Sequence, residues 1–172
     1  MNVLLSGRPG CGKTTVVEAV LAALPPGAAA GFFTREIRER GVRRGFAIRT
    51  LDGRTAVLAS VSLPEGPRVG RYWVDVGALE AVAVPALTPR QGVRLLVVDE
   101  IGKMECLSGR FCDAVRRALD APLSVLATIA QQGGGFIAEV RRREDVTLHE
   151  VTRENRAASV RWVLAALALP PA

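Results

Sequence analysis

Two stretches of this chain carry residue types at spacings that could do chemistry. The first is Gly7-Arg8-Pro9-Gly10-Cys11-Gly12-Lys13-Thr14, followed by Thr15, which matches the spacing G-x-x-x-x-G-K-[ST] at every fixed position. Glycines at that spacing let the backbone curl until successive N–H groups converge on an anion, and a helix opening behind the loop adds the positive end of its dipole. The loop therefore reads as a phosphate cradle in which Lys13 bridges outer phosphates, Thr14 ligates Mg²⁺ through its hydroxyl and Thr15 donates to an inner phosphate. The second stretch is Leu95-Leu96-Val97-Val98-Asp99-Glu100, an apolar run closed by two acids. At the carboxyl end of a buried strand, Asp99 is placed to hold the same magnesium, and Glu100 to orient and deprotonate an attacking water. Of the 23 basic side chains only two are lysines: Lys13 lies in the first stretch and Lys103 follows the second by three residues. A lysine is a slim point charge that fits between phosphates where the broad arginine fork does not. Lys103 is accordingly the first candidate for a further cation on the transferred phosphoryl group, with Arg8 and Arg35 as alternatives.

The elements that must position these residues follow from hydrophobic periodicity. Asn2 to Ser6 predicts a strand leading into the loop, and Thr14 to Leu24 a helix leading out, stopped by Pro25-Pro26. Gly31–Glu39, Arg44–Thr50 and Arg54–Ser60 predict an antiparallel meander, Leu63–Arg71 an exposed loop, and Val76–Leu87 a helix broken near Pro85. Alternation then returns: strand Arg94–Val98, helix Gly109–Leu119, strand Leu123–Thr128, helix Phe136–Arg143, strand Val146–Val151 and helix Arg153–Leu169. Continuous apolar strands between helices imply an α/β fold with a mostly parallel sheet covered on both faces. The meander is then an insertion between the first helix and the second parallel strand.

With 172 residues and 49% hydrophobic content, the whole chain, 1–172, is expected to form a single domain. A net charge of +6 would suit a polyanion, but the arginines are scattered along the chain, so a solvated basic surface is favoured over nucleic-acid binding. The three cysteines lack framework spacing and imply free thiols in a reducing compartment. The N-terminus lacks the form of a secretory signal and no apolar run of membrane-spanning length occurs, so a cytoplasmic monomer with no membrane partner is expected. His149 is the only histidine, and no metal partner for it is near in sequence. Thr128 ends a strand and is a candidate sensor of the outer phosphate. Asn155 and Arg156 open the last helix and are candidates for bordering a base, Arg156 by stacking. Arg141-Arg142-Arg143 is read as a solvated helix face more readily than as a clamp for a second phosphorylated substrate.

Gly31-Phe32-Phe33-Thr34-Arg35-Glu36-Ile37-Arg38, Arg44-Gly45-Phe46, Val98-Asp99-Glu100-Ile101-Gly102-Lys103-Met104-Glu105 and Glu150-Val151-Thr152-Arg153-Glu154-Asn155-Arg156 together resemble the THEP-one type nucleoside-triphosphatases, small P-loop NTPases of archaea, bacteria and animals. The resemblance covers nearly the whole chain in the same order. It implies a three-layer, RecA-like P-loop fold and slow Mg²⁺-dependent hydrolysis of nucleoside triphosphates (ATP, GTP, CTP, UTP) to diphosphate and phosphate, with loose base preference. It also extends the nucleotide-binding set to Ile101 and Gly102. One departure is the glycine-rich, uncharged Ile129-Ala130-Gln131-Gln132-Gly133-Gly134-Gly135 after Thr128, where relatives often carry basic or histidine residues. Two other readings share the scaffold: a small nucleoside or nucleotide kinase, and a nucleotide-dependent RNA-associated switch.

Overall fold

A computed structural model of the protein describes residues 1–168. Leu169, expected to end the last helix, lies outside the described residues together with the prolines after it. The strands are β1 (Asn2–Ser6), β2 (Ala29–Glu39), β3 (Val42–Thr50), β4 (Thr55–Ser60), β5 (Arg68–Val69), β6 (Tyr72–Val74), β7 (Leu95–Ile101), β8 (Ser124–Ile129) and β9 (Val146–Glu150). The helices are α1 (Lys13–Ala22), α2 (Val76–Ala86), α3 (Gly109–Asp120), α4 (Gly135–Arg141) and α5 (Arg156–Ala166), with a 3₁₀ turn at Glu105–Leu107.

All nine strands form one sheet in the order β5-β6-β4-β3-β2-β7-β8-β1-β9. β2, β7, β8, β1 and β9 run parallel, and the rest of the sheet is antiparallel. The parallel strands are apolar on both sides because both faces are covered. On β1, Val3 and Leu5 pack with Val16, Val17 and Val20 of α1 and Val163 of α5, while Leu4 points to the other face, where Leu79 of α2, Phe111 and Val115 of α3 and Ile137 of α4 gather. This is the expected three-layer, RecA-like architecture: β8 lies between the strand that ends in the glycine loop and the strand that carries the acids.

The structure differs from expectation at four points. β2 is itself a parallel strand, paired with β7 from Ala29↔Leu95 to Phe33↔Asp99, so the antiparallel insertion begins only at β3. The stretch expected as an exposed loop contains β5, which pairs with β6. Pro85 sits inside the last turn of α2 without breaking it before Ala86; a ring there costs one backbone bond near the helix's end. β7 does not stop at Val98 but runs through both acids to Ile101, which pairs with Ile129 of β8.

Candidate active site

The loop after β1 feeds directly into α1, whose N-cap is Gly12 with φ of 105° and no side chain capping the first turn. A left-handed residue at that position turns the chain so that the first N–H groups of α1 face the inside of the loop. Lys13 Nζ donates to the carbonyl oxygen of Gly7 at 3.0 Å, so the ammonium is folded back across the mouth of the loop. Thr14 Oγ1 donates to Asp99 Oδ2 at 2.7 Å, across 85 residues of sequence. Thr128 at the end of β8 donates its hydroxyl to Asp99 Oδ1. The glycine loop and the acidic strand end therefore meet at one carboxylate.

Asp99 is 2% exposed, and burial raises its pKa above the usual carboxylate range against the opposing pull of the Thr128 and Thr14 hydroxyls, Lys13 and Arg35. Glu100 is also raised, first by burial; Lys13 lowers it and Asp99 pushes it further up. A third acid, Glu105, was not singled out in the sequence, although it lies in the segment that carries the family resemblance. It is buried and its pKa is pushed up to about 8, chiefly by burial and then by Glu100 and Asp99. A Cβ at Gly102 would meet Glu105 Oε2 at 2.8 Å and Glu100 Oε1 at 3.2 Å, so the two carboxyl groups flank the same glycine. Five residues of separation on a strand followed by a 3₁₀ turn gives no periodicity by which sequence would pair them.

Of the basic candidates, Arg8 is exposed on the loop, and Arg35 lies over the ring of Phe33 and pairs with Glu18 of α1. Lys103 is exposed past the end of β7 and, among the described residues, makes no hydrogen bond or ion pair in the structure. The arginine triplet divides. Arg143 pairs with Asp120 and Asp145, Arg142 bonds Ala138 of its own helix, and Arg141 reaches the sheet edge at Ser6 and Ala130.

Two cavities adjoin the loop. One, of about 680 Å³, runs from Lys13, Thr14 and Thr15 past Glu100 onto Thr34, Arg43 and Phe46 of the antiparallel ribbon. The other, of about 470 Å³, lies between Arg8, Pro9 and Cys11 and the segment Val151–Arg153. Asn155 does not point at that cavity's ligand space as a free group: it accepts from the Thr152 N–H at 2.8 Å and donates to the Glu150 carbonyl at 2.9 Å, tying the turn after β9. Arg156 lays its stem against Gly12, where a Cβ would stand 2.5 Å from its Cδ, and Nε donates to the Arg153 carbonyl. His149 sits beyond this turn, stacked on Trp162 at 4.3 Å and hydrogen-bonded to Ser159. Among the described residues no cluster of three or more His, Cys, Asp or Glu could hold a metal ion by itself, and no helix is long and apolar enough to cross a membrane.

Known proteins resemble this chain over most of its length. The nucleoside-triphosphatase THEP1 of Thermotoga sp. (strain RQ2) is 40% identical over 168 residues, covering 97% of this chain and 95% of its own. The human cancer-related nucleoside-triphosphatase is 39% identical, covering 90% of each chain. The crystal structure of THEP1 from the hyperthermophile Aquifex aeolicus superposes with a TM-score of 0.88 at 34% identity, over 97% of this chain and 99% of that one. The NTPase family matches residues 2–164, and with its fold, order of elements and converging loop and acids, the chain belongs to the NTPase family.

Proposed function

We propose that the chain is a nucleoside-triphosphatase that releases the terminal phosphate of a nucleoside 5′-triphosphate, slowly, with Mg²⁺ and with little regard for the base. The observation that carries this reading is the meeting of Thr14 and Asp99 at 2.7 Å. A hydroxyl and a buried carboxylate side by side are hard oxygen donors, and burial leaves the carboxylate short of a counter-charge. That set fits magnesium, which binds through one or two protein oxygens plus substrate phosphates and does not need a cage of side chains. When bound there, the ion supplies charge neutralisation on the outer phosphates. Thr14 and Asp99 hold it, Thr128 fixes the carboxylate, and the loop N–H groups from Gly7 to Thr15 hold the phosphates. The cavity between Pro9 and Cys11 of the loop and Val151–Arg153 suits the nucleoside end.

In the chemical step the oxygen of an attacking water bonds to the terminal phosphorus while Glu100 takes its proton. The bond from that phosphorus to the bridging oxygen breaks, and its electron pair leaves with the diphosphate. Burial and Asp99 raise the proton affinity of Glu100, which makes it a better base than a solvated carboxylate. Lys13 swings from the Gly7 carbonyl to the leaving phosphates. The test is phosphate release from ATP, GTP, CTP and UTP with and without magnesium. Glu100→Gln is expected to lower kcat by about 10²–10⁴-fold while nucleotide affinity, read by calorimetry, stays within a few-fold. A variant that keeps wild-type turnover removes Glu100 from the mechanism.

A second reading has one observation in its favour. The cavity of about 680 Å³ continues past Glu100 onto the ribbon, which is more room than an attacking water requires. An acceptor hydroxyl seated there would turn the same step into phosphoryl transfer. Assaying phosphorylated acceptor beside free phosphate separates the two, and phosphate release that needs no acceptor favours hydrolysis.

A further inference from the structure

The proposed mechanism meets charge on the phosphates with Lys13 and a metal ion but names no group for the equatorial oxygens of the phosphoryl unit in flight. Arg141, on the last turn of α4, is built differently from its two neighbours. Arg143 is paired with two aspartates and Arg142 caps a carbonyl of its own helix. Arg141 is half-buried, and among the described residues no carboxylate forms an ion pair with it. Its Nη1 donates to Ser6 Oγ at 3.2 Å and to the Ala130 carbonyl at 3.3 Å. Those are the contacts it makes, and both use one nitrogen of a group with five N–H donors.

The two acceptors define where the guanidinium stands. Ser6 is the last residue of β1, bonded directly to Gly7, whose carbonyl holds the Lys13 ammonium at 3.0 Å. Ala130 follows β8 two residues after Thr128, which holds Asp99. Arg141 thus touches the end of the strand that delivers the loop and the end of the strand whose Thr128 holds the Asp99 carboxylate, approaching from the helix face opposite α1. It also lines a cavity of about 330 Å³ that opens at this edge, shared with Gln131, Gln132, His149 and Glu150. Glu150 is exposed and is the only acid in that lining. A partly desolvated cation held by neutral oxygens retains nearly all its charge for an anionic group that comes within reach.

We propose that Arg141 is a catalytic residue of this chain, an arginine supplied in cis that leaves Ser6 and Ala130 to donate its forked N–H pair to the equatorial oxygens of the terminal phosphoryl group in the transition state. The inference rests on the hydrolase reading and deepens it. Planar, five-donor geometry suits oxygens spread about a plane better than an ammonium does.

The experiment compares Arg141→Ala, Arg141→Lys, Arg142→Ala and Lys103→Ala with the wild type in phosphate release, in binding of a non-hydrolysable triphosphate, and in trapping of diphosphate with magnesium and aluminium fluoride. Arg141→Ala is expected to lose on the order of 10²–10³-fold in kcat with triphosphate affinity unchanged within about threefold, and to fail to trap the fluoride complex. Arg141→Lys recovers a small part of the rate, added guanidinium recovers part of it in the alanine variant, and Arg142→Ala stays within about twofold of wild type. A kcat within about threefold of wild type in Arg141→Ala overturns the assignment, as does loss that falls on Lys103→Ala alone. Loss of turnover that comes with equal loss of triphosphate affinity and a lower Tm, unrelieved by guanidinium, also overturns it by making Arg141 a brace between strand ends. A wild type that releases no phosphate from any triphosphate instead refutes the hydrolase reading beneath it.

Discussion

Thr14 reaches Asp99 from the first turn of α1 and Thr128 reaches it from the end of β8, so each carboxylate oxygen is committed to a hydroxyl from a different element. The two hydroxyls differ in what they do. Under the proposed function Thr14 shares a metal ion with Asp99, whereas Thr128 holds the carboxylate's other oxygen and sets its plane. Thr128→Val keeps the shape of the buried side chain and deletes its donor. The variant is expected to need about 10–100-fold more magnesium for half-maximal phosphate release while keeping its affinity for metal-free nucleotide, measured by magnesium titration at saturating ATP. An unchanged magnesium requirement assigns Thr128 to packing alone. At this scale Asp99, Glu100, Lys13 and Thr14 were legible from residue type and spacing, because a loop of eight residues is a local object. Glu105 was not legible, and Arg141 stood out only as part of the triplet Arg141-Arg142-Arg143, because the placement of both depends on which strand ends they face.

Among the elements, β2 and β7 carry the closest backbone approach that positions the site. Gly31 pairs with Val97 two residues before Asp99 and has φ of 120°. A Cβ there would run into the Val97 carbonyl oxygen, and the conformation itself disfavours side chains. Gly31→Ala is expected to lower stability by about 2–3 kcal/mol in urea unfolding and to reduce kcat as well, since β7 carries both acids. Full stability would show that the β2–β7 contact can relax at no cost. The misjudged boundaries have the same kind of cause. Asp99 and Glu100 read as a strand end because two acids interrupt an apolar run, yet β8 pairs with Ile101 and carries the strand through them. β5 and β6 are two and three residues long, too short for any period to register. β2 reads as half of a hairpin from its own sequence, and nothing in that sequence says that its other edge joins β7.

For the molecule as a whole, the buried acids make stability depend on pH. Glu105 has a pKa of about 8 in the folded chain against an ordinary 4.5, so between those values the folded state keeps a proton that the unfolded chain gives up. Its contribution is complete below about pH 4.5 and is lost as pH rises toward about 8; Asp99 and Glu100, also raised, act in the same direction. Glu105→Gln is neutral throughout. It is expected to flatten the stability profile from about pH 5 to 8 and to exceed the wild type by about 1–3 kcal/mol at pH 8, measured as Tm across a pH series; parallel profiles would contradict the burial argument. What the amino-acid sequence determined by itself was the pattern of residue types at short range and the fold class. Eight consecutive residues match the spacing of a phosphate loop, an apolar run followed by two acids makes a strand, and alternating strands and helices make a covered parallel sheet. The tertiary structure alone decided that the strands order with β8 between loop and acids, that Glu105 stands past the end of β7 while Arg141 bridges the ends of β1 and β8, and that Asn155 ties a turn. Those facts are pairings between residues far apart in sequence, set by packing of the two hydrophobic layers on the sheet, and no local period encodes them.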